Sequence, residues 1–480
     1  MSQRKQLVRG AALVGGLQFA GRAFLFVRNL ILARMLGPDN MGVAAIFVVT
    51  LSFIELSSDL SVTKLIIQSP QGARPSFLRT GQTFELARGL LMSLVLFALA
   101  WPAALLFDEP QILWALQLLA VAPFIRAFMH LDFAQQQRRL NYLPTMLIDA
   151  LPIVITTLLA YPLALWLHDW RAYLAVLMCQ PLAAVATSRV VARRPWRVGW
   201  NKRYARGFLK FGWPLLLNGV LLFWVMQGDR VLLGAYVDMA VLGLFFVAAN
   251  LGTLPSLTIA SFGGVLFLAP LSACRDDVEK FRKQATLVLQ GYCAIAVLVA
   301  TPFVLFGQIV PLLYGEKFLP AQAFVGWLAI AGALRLIRAG TTLIALSRGD
   351  SQTSMFATIA RLTGLALAFV ALWQGYGIML VIYAAVVGEV VALAVATWRL
   401  KKVHRLRLRE ICGPMALALL LMVGPALVVV NFGYWPQQTL AALGAAAGVW
   451  GVIALALYRL LPGMRYELHQ TVNMLRRPRK

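Results

Sequence analysis

Long apolar runs alternate with short polar stretches along the whole chain. About fourteen such runs can be marked, at roughly 10–36, 41–66, 84–106, 111–132, 142–167, 171–192, 208–234, 239–268, 286–313, 319–346, 353–374, 377–399, 411–432 and 437–460. A helix needs about 20 residues to cross a hydrocarbon core, so the pattern predicts an all-α integral membrane protein with about fourteen transmembrane helices. The polar stretches differ in sign. One alternate set holds Arg4, Lys5 and Arg9; Arg74 and Arg79; Arg138 and Arg139; the block Arg189 to Lys210; Arg275 to Lys283; Arg348; Arg399 to Arg409; and Arg476 to Lys480. The opposite set holds little beyond Arg171 and Lys317, with Asp39, Asp108, Glu109, Asp169 and Glu316. Lys and Arg accumulate on the cytoplasmic side of a membrane. Both termini are therefore expected in the cytoplasm, which requires an even number of spans.

Composition agrees with this reading. The chain of 480 residues is 60% hydrophobic and 13% charged, with mean hydropathy +0.76; ordinary globular chains carry about 25% charged residues. Its net charge of +25 would suggest nucleic acid in a soluble protein, but the basic residues sit in short inter-span loops, so no nucleic-acid partner is expected. Cys179, Cys274, Cys293 and Cys412 are scattered, with no CxxC and no companion histidines, so structural thiols are expected and a metal site is not. No cleavable signal peptide is evident: the basic start leads straight into the first run.

A pattern repeats 201 residues on. Arg28-Asn29-Leu30-Ile31-Leu32-Ala33 aligns with Asp229-Arg230-Val231-Leu232-Leu233-Gly234, and Gly42 with Gly243. The long basic loop from Arg193 to Arg206 separates the copies. The expected organisation is an N-terminal six-helix lobe (1–200), a C-terminal six-helix lobe (201–402) and an accessory pair of helices with a basic tail (403–480). Six spans per copy keeps both lobes in one orientation, related by a pseudo-two-fold axis, as in parallel-repeat transporters whose substrate sites lie between the halves.

Several charged residues fall inside the spans, where they are costly and usually functional. Arg22 and Arg28 lie on the first helix, which ends at Gly37-Pro38. Six residues apart, they are rotated by roughly 120° and cannot both point at one spot on a regular helix. Arg22 is expected to be the more buried, with Arg28 nearer an outer gate beside Asp229-Arg230. The plain alternative is that Arg22 only pairs with an acid on a neighbouring helix. Glu55 and Asp59 are one turn apart and expected on one face of the second span, as a structural ion pair or as a coupling-ion site. Arg126 and Asp149 lie at similar distances from the Arg138-Arg139 loop and are expected to pair with each other. On the tenth span, Arg335 and Arg338 share a face, with Gly332 and Gly340 leaving room beside them; neither has an obvious partner. Arg361 and Glu389 lie at comparable depth, so Glu389 is expected to neutralise Arg361. Trp101, Trp170, Tyr314 and Trp435 read as interfacial anchors. The excess of intramembrane arginine suits a diphosphate, whose oxygens the guanidinium fork binds bidentately.

The stretch Phe26-Val27-Arg28-Asn29-Leu30-Ile31-Leu32-Ala33-Arg34-Met35-Leu36-Gly37-Pro38, with Gly42, resembles the opening of the polysaccharide-biosynthesis flippase family. Phe211-Gly212-Trp213-Pro214, Asp229-Arg230 and Leu242-Gly243-Leu244-Phe245 repeat the resemblance in the second half. Ser61 and Phe245 depart from it, standing where the family often has glycine and tyrosine. That family lies within the multidrug/oligosaccharidyl-lipid/polysaccharide exporter superfamily, and Arg22 and Arg28 are also similar to its lipid II flippase branch.

The resemblance implies a bacterial inner-membrane flippase for a polyprenyl-diphosphate-linked oligosaccharide, serving O-antigen, capsule or exopolysaccharide assembly by alternating access. Arg22, Arg28, Arg335, Arg338 and Arg361 would then contact substrate, while Glu55, Asp59, Arg126, Asp149 and Glu389 would couple ions or form pairs. Expected partners are the lipid-linked substrate, membrane lipids, and polysaccharide polymerase and chain-length proteins. No cofactor is implied beyond Na⁺ or H⁺ as a coupling ion. The competing reading is a cation- or proton-coupled multidrug antiporter of the same superfamily, with Glu55 and Asp59 carrying the ion. An enzyme is not expected: there is no GxSxG, P-loop or HExxH, and His130, His168, His404 and His469 are far apart.

Overall fold

The first two helices show how local chemistry sets the architecture. In the computed structural model, which describes residues 3–307, 309–404, 408–432 and 440–460, α1 (Gln3–Leu36) runs without a break to Gly37. Gly37 takes φ 82°, a left-handed conformation that costs glycine nothing. Pro38 then occupies the first turn of α2 (Pro38–Ser57), where its missing N–H is no loss. Residues 41–47 of α2 are all buried, so this helix starts inside the protein rather than against lipid.

Every element among the described residues is helical. After α2 come α3 (Val62–Gln68), α4 (Pro75–Leu106), α5 (Leu113–Leu119), α6 (Val121–Ala127), α7 (Asp132–Arg138), α8 (Leu143–Leu167), α9 (Arg171–Val190) and α10 (Lys202–Tyr236). The chain continues with α11 (Met239–Ala273), α12 (Val278–Leu305), α13 (Ile309–Tyr314), α14 (Gln322–Ser347), α15 (Gln352–Trp373), α16 (Ile378–His404), α17 (Leu408–Phe432) and α18 (Leu440–Leu460). With α2 joined to α3, α5 to α6, and α7 and α13 set aside as short connectors, these match the fourteen apolar runs in order. Eleven helices among the described residues are long and apolar enough to cross a membrane. The chain is a multi-pass membrane protein.

The helices outrun the hydropathy pattern where polar residues begin them. α4 starts at Pro75 and α10 at Lys202, ahead of the expected 84 and 208, because water solvates a helix end beyond the hydrocarbon core as readily as a loop. The second span is broken. Ser58 Oγ bonds back to the Ile54 carbonyl at 2.5 Å, Asp59 Oδ1 accepts from the Ser61 N–H at 2.7 Å, and Ser61 adopts φ 50°. Such local side-chain bonds compete with the helical ladder. The fourth span also ends early, at Ala127, leaving His130 outside it.

Contacts divide the chain into two compact units, 1–243 and 244–480. In the first, α1 packs on α8, α8 on α9, α4 on α5 and α6, and α10 on α2. In the second, α15 packs on α16, α14 on both α12 and α16, and α12 on α17 and α18. Of the expected anchors, Trp101 is exposed, whereas Tyr314 is buried and Trp170 stacks edgewise on Phe47, so neither of these two projects freely into lipid. Trp435, His469 and the basic tail lie outside the described residues.

Candidate functional site

Among the described residues, one arginine is buried in the first unit, and three buried or half-buried arginines gather in the second. In the first unit Arg28, only 4% exposed, reaches from α1 across to α8 and α9. Its Nη1 donates to Gln180 Oε1 at 3.0 Å and to Thr156 Oγ1 at 3.3 Å. Next to it on α1, Asn29 Oδ1 accepts from the Tyr173 hydroxyl at 3.3 Å. Tyr173 lies in electrostatic reach of both Arg28 and Arg230. Arg230 in turn donates to Gln227, whose amide donates to Ser52 Oγ at 3.0 Å. The partners of Arg28 in direct hydrogen bonds are neutral, so its charge is not cancelled by them.

Burial of the two α1 arginines is the reverse of the sequence expectation. Arg22 is half-buried, with Nη1 enclosed and without a partner among the described residues, whereas Arg28 is sealed between helices. The cause is the packing of α1: its face bearing Arg28 turns to α8 and α9, and Arg22 is rotated away from that seam.

The carboxylates also rearrange. Arg126 pairs with Glu55 at 2.5 Å, not with Asp149, which stays exposed on α8 within electrostatic reach of Arg126. Depth along two antiparallel helices suggested the Arg126–Asp149 pair, but the side chain of Glu55, near the end of α2, takes Arg126 instead. Glu55 and Asp59 do not share a helix face either. Asp59 lies in the break, receives bonds from Ser61 and sits 3.9 Å from Lys64 at the surface. Arg88 and Glu85 form a further pair at 2.6 Å on α4, with Arg88 also donating to Ser58. The i,i+3 spacing of Glu85 and Arg88 made that pair readable, as Gln180 amid an apolar run made it a candidate polar contact.

In the second unit three arginines converge on one carboxylate. Glu389, 1% exposed, accepts from Arg335 Nε at 2.8 Å and Arg338 Nε at 3.3 Å, and forms an ion pair with Arg361, whose Nε lies 2.7 Å away. Arg335 and Arg338 thus have a partner after all, which depth alone had assigned to Arg361. The geometry follows from backbone approach. A Cβ on Gly388 would lie 2.8 Å from the Gly364 Cα and 2.9 Å from the Arg361 carbonyl oxygen. Without side chains at this crossing, α15 and α16 come close enough to set Arg361 against Glu389, and α14 supplies the other two arginines. The room expected beside Gly332 and Gly340 is filled: α11 approaches Gly332, and Tyr292 of α12 lies against Gly340.

The chain is thus an all-helical, multi-span membrane protein with arginines buried among its helices. The structure is similar to the lipid II flippase MurJ in an inward closed conformation, with TM-score 0.67 and 13% identity over 94% of this chain and 99% of that one. It is also similar to a multidrug resistance MATE family transporter of the MOP superfamily in an inward-facing conformation, with TM-score 0.64 and 16% identity over 80% of this chain and 96% of that one.

The chain belongs to the polysaccharide biosynthesis protein family, whose model matches residues 31–323. It is 24% identical over 315 residues to the succinoglycan biosynthesis transport protein ExoT of Rhizobium meliloti (strain 1021). That alignment covers 64% of this chain and spans 62% of the length of ExoT.

Proposed function

We propose that the chain is a flippase that carries a polyprenyl-diphosphate-linked oligosaccharide across the bacterial inner membrane, for O-antigen, capsule or exopolysaccharide assembly. The observation that carries this reading is the arginine cluster of the second unit. Three guanidiniums share one carboxylate, so the site keeps a net positive charge among apolar helices, where charge is expensive. An anionic head group would repay that cost. Arg28 and Arg22 add positive charge in the first unit. The antiporter alternative has less support, because Glu55 is engaged by Arg126 and Asp59 by its own turn. The name of ExoT, a succinoglycan biosynthesis transport protein, points the same way.

In this reading residues 1–200 and 201–402 are the two halves that alternate access, and 403–480 an accessory segment. Both termini lie in the cytoplasm, the chain is a carrier and not an enzyme, and polymerase and chain-length proteins act on what it delivers. The test is complementation of a strain lacking the gene. R335A/R338A should reach normal membrane levels, abolish exported polymer and leave the lipid-linked intermediate on the cytoplasmic leaflet. Normal export by the double variant would overturn the reading.

A further inference from the structure

Arg335 and Arg338 donate to Glu389 through Nε, the inner edge of the guanidinium, and Arg361 Nε lies 2.7 Å from the same carboxylate. A carboxylate held in this way neutralises one charge of three and fixes three planes at once. The side chains of Arg335 and Arg338 keep 16% and 11% of their surface accessible. Glu389 itself is 1% exposed. We propose that Glu389 is a positioning residue: it orients Arg335, Arg338 and Arg361 into a preformed site for a dianionic diphosphate diester. This rests on the flippase reading of the same cluster.

Charge and geometry both support this ligand class. Three arginines and one glutamate leave two net positive charges, and a diphosphate esterified at both ends carries one negative charge on each phosphoryl group. Planar guanidiniums whose inner edge is already bonded can offer their outer edge to phosphoryl oxygens at little further cost in side-chain ordering. Without Glu389, three like charges within reach of one point would splay apart, and the ligand would have to reassemble them.

The positioning role makes a prediction opposite to simple electrostatics. Replacing Glu389 by Gln raises the net charge of the site, so attraction alone would tighten anion binding. Loss of orientation weakens it instead, by about tenfold. The experiment is equilibrium dialysis of the full-length protein in detergent with radiolabelled inorganic pyrophosphate, and with inorganic phosphate as comparator. Wild type should prefer pyrophosphate. E389Q should bind it more weakly and lose the preference, a ratio that a general loss of stability would not change. E389D, which keeps the charge but withdraws it by one methylene, should fall between them, and it carries the test alone if E389Q does not fold. Tighter binding by E389Q, or unchanged binding and preference in E389D, overturns the positioning role. R335A/R338A separates the two claims: if it binds pyrophosphate as well as wild type, the cluster is not the anion site and the flippase reading loses its main support. If it loses binding while E389Q gains, only the positioning role falls.

Discussion

Gly42 and Gly243, which align in the internal repeat, face each other across a reciprocal helix crossing. A Cβ on Gly42 would stand 2.0 Å from the Met239 carbonyl oxygen, and a Cβ on Gly243 would stand 1.9 Å from the Pro38 carbonyl oxygen. Pro38 and Met239 are themselves repeat partners, 201 residues apart. The first turns of α2 and α11 thus meet as near-equivalent surfaces, and neither glycine can gain a methyl without moving the other helix.

The reciprocity predicts non-additivity. G42A and G243A should each lower the thermal midpoint of the detergent-solubilised protein, because each forces the same two backbones apart. Once they are separated, the second methyl meets less resistance. The double variant should therefore cost less than the sum of the singles, as a double-mutant cycle on thermal inactivation would read; full additivity would mean that the two contacts relax independently.

Arg28 and Arg22 should behave differently on substitution. R28A leaves Thr156 and Gln180 facing a cavity, with a cost of about 1–3 kcal/mol, so membrane abundance and export should both drop. R28K should restore little, since an ammonium on a flexible stem cannot reproduce the two bonds made by one fixed nitrogen. R22A should leave abundance near normal and reduce export alone. Immunoblotting beside a polymer assay separates these outcomes; equal abundance of R22A and R28A would contradict the burial difference.

The Glu55–Arg126 pair has side chains 55% and 54% exposed, and half-exposed pairs contribute about 0–1 kcal/mol. E55Q and R126Q should therefore be tolerated in abundance. The exchange E55R/R126E should export polymer better than either E55R or R126E, whereas R126D/D149R should give no such recovery. Recovery by R126D/D149R alone would restore the pairing that depth suggested.

His130 gives the protein a pH dependence on the basic-loop side. It is 3% exposed, its Nδ1 accepts from the Asp132 backbone N–H at 3.0 Å, and the His130 backbone N–H donates to Ser188 Oγ at 3.0 Å. Burial holds the imidazole below its ordinary range, with Arg189 acting in the same direction and Asp132 opposing. Because the folded value is depressed, the unfolded chain binds the proton more readily. Stability is therefore full above the unfolded value near 6.5 and is lost as pH falls below it. The thermal midpoint should drop between pH 7.5 and 5.5 by more in wild type than in H130N, and an identical drop would remove His130 as the cause.

The fourteen apolar runs, their order and the Gly37-Pro38 stop were all legible because each rests on local chemistry. A span needs a run of apolar side chains, and a turn needs a residue that can take positive φ or begin a helix without its N–H. The 201-residue spacing is likewise a pattern of residue identities in the sequence itself. Even the break after Ser57 had a local signal in Ser58-Asp59, whose side chains bond backbone groups nearby. What the sequence left open was which charges meet. Depth along a helix is a one-dimensional coordinate: it suggested Arg361 with Glu389, which forms, and Arg126 with Asp149, which does not, and it gave no partner to Arg335 and Arg338. Pairing depends on the rotation of each helix and on how closely two backbones approach. Those quantities are set by contacts such as Gly364 against Gly388 and the seam of α1 with α8 and α9, made between residues far apart in the chain. Only the tertiary structure could turn Arg28 inward, give Glu55 to Arg126, and gather Arg335, Arg338 and Arg361 on one carboxylate.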